Sequence, residues 1–169
     1  GGELAHKLLE GGYEVYGLVR RVSSPQQHPL DVKTIESDVT DPFVTEKIVE
    51  LHPDEIYHLA AMSHVAHSFD IPRATFQVNT MGTLNVLEAA KKLDCRFYQA
   101  STSELFGSSP APQNEKTPFH PVSPYGVSKV AAHHLAVNYR ESHGLFVACS
   151  IAFNHESPRR GENFVTKKI

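Results

Sequence analysis

The stretch Arg96-Phe97-Tyr98-Gln99-Ala100-Ser101-Thr102-Ser103-Glu104 predicts the fold of this 169-residue chain. Its first five residues form a short strand pattern, and hydroxyl and carboxylate side chains follow directly after it. A helical pattern from Pro72 to Leu93 precedes this strand, and a second one, from Pro124 to about His143, follows it. A strand between two helices is typical of α/β proteins, which carry functional side chains at the carboxyl ends of their strands.

The same alternation of strands and helices extends to both ends of the chain. Two further helices are predicted, one over Glu3–Glu10 that ends at Gly11-Gly12, and one up to about Leu51 that Asp38-Val39-Thr40-Asp41-Pro42 caps. Further strands are predicted over Tyr13–Val19, Val32–Glu36, Asp54–Ala60 and Leu145–Phe153. Strands joined through helices imply right-handed crossovers. The predicted fold is therefore α/β, a doubly wound Rossmann-type parallel sheet with helices on both faces.

The chain begins with a helix, whereas the first strand of a doubly wound sheet is central. The strands that begin at Tyr13 and Asp54 would flank the place of that missing strand. We therefore expect residues 1–169 to be a partial Rossmann domain, truncated at both ends. A smaller complete fold with another strand order is the alternative.

The composition argues against a membrane or nucleic-acid protein. Charges of both signs are mixed along the chain, the formal net charge is -3, and no apolar run approaches the roughly 18 residues of a spanning helix. Cys95 and Cys149 lie in or beside apolar segments, as reduced thiols of a cytoplasmic protein do. The eleven histidines include close pairs, but these come without a third ligand at a suitable spacing, so no metal site is predicted.

The segment Tyr125-Gly126-Val127-Ser128-Lys129 places a phenol and an amine one helical turn apart on the same face. A nearby ammonium favours the phenolate, so Lys129 is expected to lower the pKa of Tyr125 and make it a base. Ser123 is predicted to cap this helix, with proline at its first position. With Thr102 and Glu104 at the end of the preceding strand, the four catalytic candidates would meet at one sugar.

A dinucleotide site is predicted at the ends of the other strands. Arg20-Arg21 and Ser23-Ser24 follow the strand that begins at Tyr13, where arginine accommodates a ribose 2′-phosphate, which favours NADP over NAD. Asp38-Val39 would lie near the adenine, and the small residues of Leu59-Ala60-Ala61 would let a cofactor approach the backbone. Ser63 would either donate a hydrogen bond to a substrate or cap the next helix.

The chain resembles the extended short-chain dehydrogenase/reductases over essentially its whole length. The resemblance rests on Gly12-Tyr13-Glu14-Val15, Val19-Arg20-Arg21, FYQASTSELFG at 97–107, SPYGVSK at 123–129 and FNHESPRRGENFVTKKI at 153–169. It implies an NADP enzyme that converts GDP-mannose to GDP-4-keto-6-deoxymannose. C4 is transiently oxidised, C5 is deprotonated, the C6 hydroxyl leaves as water, and the hydride returns to C6.

The resemblance also implies the role of each catalytic candidate. Tyr125 would remove the C4 hydroxyl proton, and Lys129 would lower the pKa of Tyr125 and hold the nicotinamide ribose. Thr102 would hydrogen-bond the C4 oxygen. Glu104 would remove the C5 proton and help to expel the C6 hydroxyl.

Binding roles are implied for a larger set of residues. The cofactor set is Arg20, Arg21, Ser23, Asp38, Val39, Leu59, Ala60, Ala61, Ser63, Lys129, His155 and Arg160. The substrate set is Ser63, Glu104 and Asn154. The resemblance further implies that residues 1–169 are a partial NAD(P)-binding Rossmann domain without the C-terminal substrate domain. It also implies a homo-oligomer, a dimer or tetramer, in a full-length protein. A nucleotide-sugar 4-epimerase or 4-keto reductase, or a non-catalytic piece of such an enzyme, are the alternatives.

Overall fold

The computed structural model describes residues 1–20 and 32–156. The chain divides into two compact units, one made of residues 1–38 and 154–169 and the other of residues 39–153. Strands and helices alternate along the chain in the second unit.

The first unit contains helix α1 (Gly2–Glu10) and two parallel strands, β1 (Tyr16–Val19) and β2 (Lys33–Glu36). Helix α1 ends at Gly11, whose N–H donates to the Lys7 carbonyl, so the predicted glycine stop is confirmed. The strand register pairs Tyr16 with Lys33 and Val19 with Glu36. Residues that follow Val19 and Glu36 therefore leave the same edge of this sheet.

The second unit contains a three-stranded parallel sheet in the order β3-β4-β5. Its strands are β3 (Glu55–His58), β4 (Arg96–Thr102) and β5 (Val147–Ala152). Its α-helices are α2 (Val44–Val49), α3 (His67–Asp70), α4 (Pro72–Phe76), α5 (Gly82–Leu93) and α6 (Pro124–His143), with a π-helix at Gln77–Met81 and a 3-10 turn at Ser103–Leu105. The parallel pairing agrees with the predicted α/β class.

Strand β4 is the centre of this sheet and supplies much of its core. Phe97, Gln99 and Ser101 are buried on one face, while the residues between them are only partly buried. This period of two is expected of a strand whose two faces differ in burial. The same strand continues two residues beyond the predicted end at Ala100, so Thr102 is its last residue.

Two predicted helices differ from the structure in instructive ways. The long helix expected from Pro72 to Leu93 is present, but the π-helix at Gln77–Met81 interrupts it. The helix after Asp38 begins only at Val44, because the Asp41 carboxylate accepts the N–H of Phe43 in a tight turn instead of capping the helix. Hydrophobic spacing alone predicts neither detail.

The described residues also contain no helix that is long and apolar enough to cross a membrane. Over these same ranges, no group of three histidine, cysteine, aspartate or glutamate side chains is arranged to hold a metal ion. Cys95 and Cys149 are both free thiols, and burial raises the pKa of Cys95 to about 11.

Candidate active site

The candidate site of the second unit lies where β4 ends and α6 begins. Thr102 is the last residue of β4, and Glu104 lies in the 3-10 turn that follows. The Thr102 hydroxyl oxygen accepts the backbone N–H of Glu104 at 3.3 Å, and both side chains are half-buried. This contact fixes the backbone of Glu104 just beyond the strand end.

The phenol of Tyr125 joins this pair from the first turn of α6. It is 7% exposed, and the Thr102 hydroxyl and the Glu104 carboxylate both lie close enough to shift its pKa. The structure therefore brings three of the four catalytic candidates, Thr102, Glu104 and Tyr125, into one cluster.

The expected lowering of the Tyr125 pKa is wrong for this structure. Burial raises the pKa, the hydrogen bond from Thr102 lowers it, and the negative charge of Glu104 raises it further. Burial dominates because a phenolate loses hydration in an apolar site. Lys129 does not contribute to the shift, since its ammonium is directed elsewhere.

Lys129 lies one turn after Tyr125 and is almost completely buried, with 4% of its surface exposed. Its ammonium donates to the Ala100 carbonyl on β4 at 2.6 Å. Burial of the charged form lowers the pKa of Lys129 to about 8. The amine of Lys129 is therefore held against the central strand β4.

Two serine hydroxyls and one glycine position the start of α6. Ser123 caps the helix by accepting the N–H of Gly126 at 3.0 Å, as predicted, with proline at the first helical position. Ser68 accepts the N–H of Tyr125 at 3.1 Å, a contact that no sequence pattern indicates. A Cβ on Gly126 would lie 2.9 Å from the Glu104 carbonyl oxygen, so glycine allows the helix to approach the 3-10 turn.

Asn79 is a further residue that sequence reasoning missed. Its side chain, in the π-helix, accepts the N–H of Met62 at 2.8 Å and donates to the Met62 carbonyl at 3.1 Å and to Ser128 Oγ at 3.0 Å. Ser128 in turn donates to the Tyr125 carbonyl at 2.7 Å. Asn79 thus joins the segment after β3 to the turn of α6 that carries the candidate base.

Replacing Asn79 with alanine is expected to lower the free energy of unfolding by roughly 3 kcal/mol, because it leaves buried partners without hydrogen bonds. Asn85→Ala is the matched control, since the Asn85 side chain makes one hydrogen bond, to the Val39 carbonyl at 2.8 Å, and its loss should cost roughly 1 kcal/mol. Urea unfolding of both variants measures the difference. Equal costs would show that Asn79 does not join the two segments.

The predicted dinucleotide residues of this unit fall into two groups. Leu59, Ala60 and Ser63 are exposed and Ala61 is half-buried, so the segment after β3 is open at the carboxyl edge of the sheet. Ser63 does not cap α3, which has no side-chain cap. Val39 is buried instead, and a Cβ on Gly82 would lie 2.6 Å from its side chain, so Val39 packs against α5.

The remaining predicted site residues belong to the first unit. Arg20 is exposed directly after β1, and the half-buried Asp38 follows β2, so both lie at the carboxyl edge of the two-stranded sheet. Asn154 and His155 are exposed. Arg21, Ser23 and Arg160 lie outside the described residues.

Comparison with known families gives a match over the whole chain. The sequence profile of the family described as GDP-mannose 4,6 dehydratase matches residues 1–169. GDP-mannose 4,6 dehydratase 1 of Arabidopsis thaliana is 46% identical over 194 residues, which cover 100% of this chain and 52% of that protein. The chain spans about half the length of the curated relatives it matches.

Solved structures of nucleotide-sugar enzymes have the same Rossmann-type fold. The UDP-glucose 4-epimerase of Thermus thermophilus, solved with NAD, aligns over 99% of this chain and 56% of its own, with a TM-score of 0.88 and 29% identity. DesIV of Streptomyces venezuelae, a dTDP-glucose 4,6-dehydratase solved with NAD, covers the same shares, with a TM-score of 0.84 and 25% identity. Since both reaction types occur on this fold, the site residues must discriminate between them.

Proposed function

The chain belongs to the GDP-mannose 4,6-dehydratase family, and from that premise we propose that the whole protein removes water from GDP-mannose to give GDP-4-keto-6-deoxymannose, which makes it a carbon–oxygen lyase. One observation carries the proposal. The Glu104 carboxylate and the Thr102 hydroxyl both lie close enough to the phenol of Tyr125 to shift its pKa. A dehydratase needs a carboxylate beside its proton-abstracting tyrosine, because it removes a second proton from carbon.

Tyr125 and Thr102 act on the C4 hydroxyl in this proposal. Thr102 hydrogen-bonds the C4 oxygen, and the phenolate of Tyr125 accepts the hydroxyl proton as C4 becomes a ketone. The raised pKa of Tyr125 makes the phenolate a strong base once formed, so the rate of this step should increase with pH. The buried position of Tyr125 keeps bulk water away from the reacting hydroxyl.

Glu104 acts after the ketone has formed. A C4 ketone acidifies the neighbouring C5–H bond, so a carboxylate can accept that proton. Glu104 then gives the proton to the departing C6 hydroxyl, which leaves as water. C5 regains one proton as the product forms, which balances the proton that Tyr125 took from the C4 hydroxyl. The net change is the loss of one water, without net oxidation or reduction.

We propose NADP as the cofactor, which would supply hydride transfer between C4 and C6 of the sugar. The open segment Leu59-Ala60-Ala61 fits a dinucleotide lying against the backbone. Lys129 would hold the nicotinamide ribose, and Arg20 with Arg21 and Ser23 would bind a 2′-phosphate. Asp38, Val39, Ser63, His155 and Arg160 complete the proposed cofactor set.

Further proposals concern the whole protein. Glu104, Ser63 and Asn154 would contact the nucleotide sugar, and the full-length protein would be a homo-oligomer. We also propose a cytoplasmic location, since Cys95 and Cys149 are free thiols, as in a reducing compartment. The chain itself would form part of the dinucleotide-binding Rossmann domain.

A nucleotide-sugar 4-epimerase is the second candidate, because an epimerase is among the solved structures of this fold. An epimerase uses the tyrosine and lysine but has no step that needs Glu104. It changes the configuration at C4 and leaves the mass of the sugar unchanged.

Incubating the whole protein with GDP-mannose and catalytic NADP tests the proposal. We expect the mass of the nucleotide sugar to fall by one water without net NADPH accumulation. An unchanged mass with a changed sugar configuration would replace the dehydratase with the epimerase. In parallel, NADP should raise the melting temperature of the 169-residue chain, and a chain without a cooperative transition would be a non-catalytic piece.

A further inference from the structure

Two polar side chains, those of Lys129 and Gln99, donate to the same backbone carbonyl of β4. The ammonium of Lys129 donates to the Ala100 oxygen at 2.6 Å, and the side-chain amide of Gln99 donates to the same oxygen at 3.3 Å. Both side chains are buried, and Gln99 is only 1% exposed. Because both nitrogen atoms lie within hydrogen-bonding distance of one atom, the amide and the ammonium are neighbours.

The hydrogen-bonding capacity of these two groups is complementary. The carbonyl oxygen Oε1 of Gln99 is buried and makes no hydrogen bond in the structure. An ammonium carries three N–H donors, and the bond to Ala100 uses one of them. A buried acceptor without a partner is costly, and so is a buried charge with too few acceptors. A half-turn of the Gln99 amide would move Oε1 to the side where the ammonium lies, in exchange for the 3.3 Å contact of Nε2 with the Ala100 oxygen.

His58 lies opposite Gln99 in the β3–β4 register and does not share the charge. Thr83 donates its hydroxyl proton to the Asn79 carbonyl at 2.7 Å, so its oxygen accepts from Nε2 of His58 at 3.1 Å. Burial and, secondly, the positive charge of Lys129 lower the pKa of His58 to about 3. The imidazole therefore stays neutral.

We propose that Gln99 is a positioning residue that holds the ammonium of Lys129 through its side-chain carbonyl oxygen. Gln99 lies on the buried face of β4, three residues before Thr102 at the end of the strand. It acts by keeping the lysine charged and held against β4. The contribution of Gln99 to catalysis rests on the proposed function of Lys129. The contact between the two side chains does not depend on that function.

The protonation of Lys129 in the 169-residue chain tests the contact without an activity assay. Lysines labelled with ¹³C at Cε are titrated by NMR, and the Lys129 signal is assigned by its loss in Lys129→Met. Gln99→Leu should lower the pKa of Lys129 by about one unit because the ammonium loses an acceptor. Gln99→Glu should raise it by at least as much, since a carboxylate attracts the ammonium directly. The titratable neighbours His58 and Tyr125 are unchanged in both variants.

Ser101→Ala is the matched control. Ser101 lies two residues along the same buried face, its hydroxyl also makes no hydrogen bond, and it does not contact the Ala100 carbonyl. This variant should leave the pKa of Lys129 where it is. The proposal is overturned if Gln99→Leu leaves that pKa unchanged while raising the melting temperature, the result expected from removing an unpartnered acceptor.

An equal shift of the Lys129 pKa in Ser101→Ala would show that this pKa responds to the general polarity of the buried face. This outcome would also overturn the proposal. Should Gln99→Leu fail to fold, Gln99→Met preserves the length of the side chain and gives the same titration. The titration of Lys129 does not depend on GDP-mannose turnover. A failure of the proposed function can therefore be distinguished from a failure of the Gln99–Lys129 contact.

Discussion

Replacing Glu104 with glutamine is expected to reduce the loss of water from GDP-mannose by about 10³-fold while NADP binding is preserved. Glutamine has the shape of glutamate but cannot accept the C5 proton. The backbone contact between Glu104 and Thr102 does not involve the carboxylate, so the strand end should keep its conformation. Mass spectrometry of the nucleotide sugar measures the lost water, and deuterium uptake at C5 from heavy water measures the lost deprotonation.

The same variant makes a second measurement possible, because the negative charge of Glu104 raises the pKa of Tyr125. Removing this charge should lower that pKa. Any remaining C4 oxidation should then reach its maximal rate at a lower pH than in the unsubstituted protein. This direction follows because the phenolate is the active form and would form at a lower pH.

Glu115→Gln is the control for this prediction. Glu115 is an exposed carboxylate in the loop between Ser108 and Pro121, so its replacement should change neither the rate nor its pH dependence. If Glu104→Gln loses water at the normal rate, Glu104 is not the base at C5. The epimerase mechanism would then account for the site better than the dehydratase.

The sequence predicted the elements that place the site, because their signals are local. Ser123 and Pro124 mark the start of α6 by cap chemistry and a fixed φ, and the structure confirms both. The period-two burial of β4 likewise follows from its alternating side chains. The catalytic cluster could be predicted because Thr102 and Glu104 lie at the end of β4 and Tyr125 lies in the first turn of α6.

The sequence could not predict contacts between distant segments. Ser68 binds the N–H of Tyr125 across 57 positions of the chain, and Asn79 binds Ser128 across 49. Neither contact leaves a periodic pattern, because each depends on tertiary packing. The pKa of Tyr125 was misjudged for the same reason. Helical spacing places Lys129 near the phenol, but the spacing does not say that its ammonium binds a carbonyl on β4.

Lys129→Met is expected to abolish turnover and yet to stabilise the fold at neutral pH. Burial lowers the pKa of Lys129 from 10.5 to about 8, so the folded state disfavours the charged amine that the unfolded chain holds freely. Methionine removes this cost but also the hydrogen bond to Ala100 and the proposed contact with Gln99. We expect a net gain of roughly 2 kcal/mol in the free energy of unfolding.

The pH dependence of that gain identifies its cause. Below about pH 8 both states of the unsubstituted chain hold the proton, so the cost of burying the charge is fully present. Between pH 8 and 10.5 the unfolded state binds more protons, so the unsubstituted chain gains stability as pH rises and its deficit against Lys129→Met shrinks.

Urea unfolding at about pH 7 and about pH 9.5, on either side of the folded-state pKa, measures this change. Lys116→Met, at an exposed loop position, should change stability by less than about 0.5 kcal/mol at either pH. A Lys129→Met variant that is less stable than the unsubstituted chain at neutral pH would contradict this prediction. It would mean that the ammonium is well paired in the folded state and that burying Lys129 has no net cost in stability.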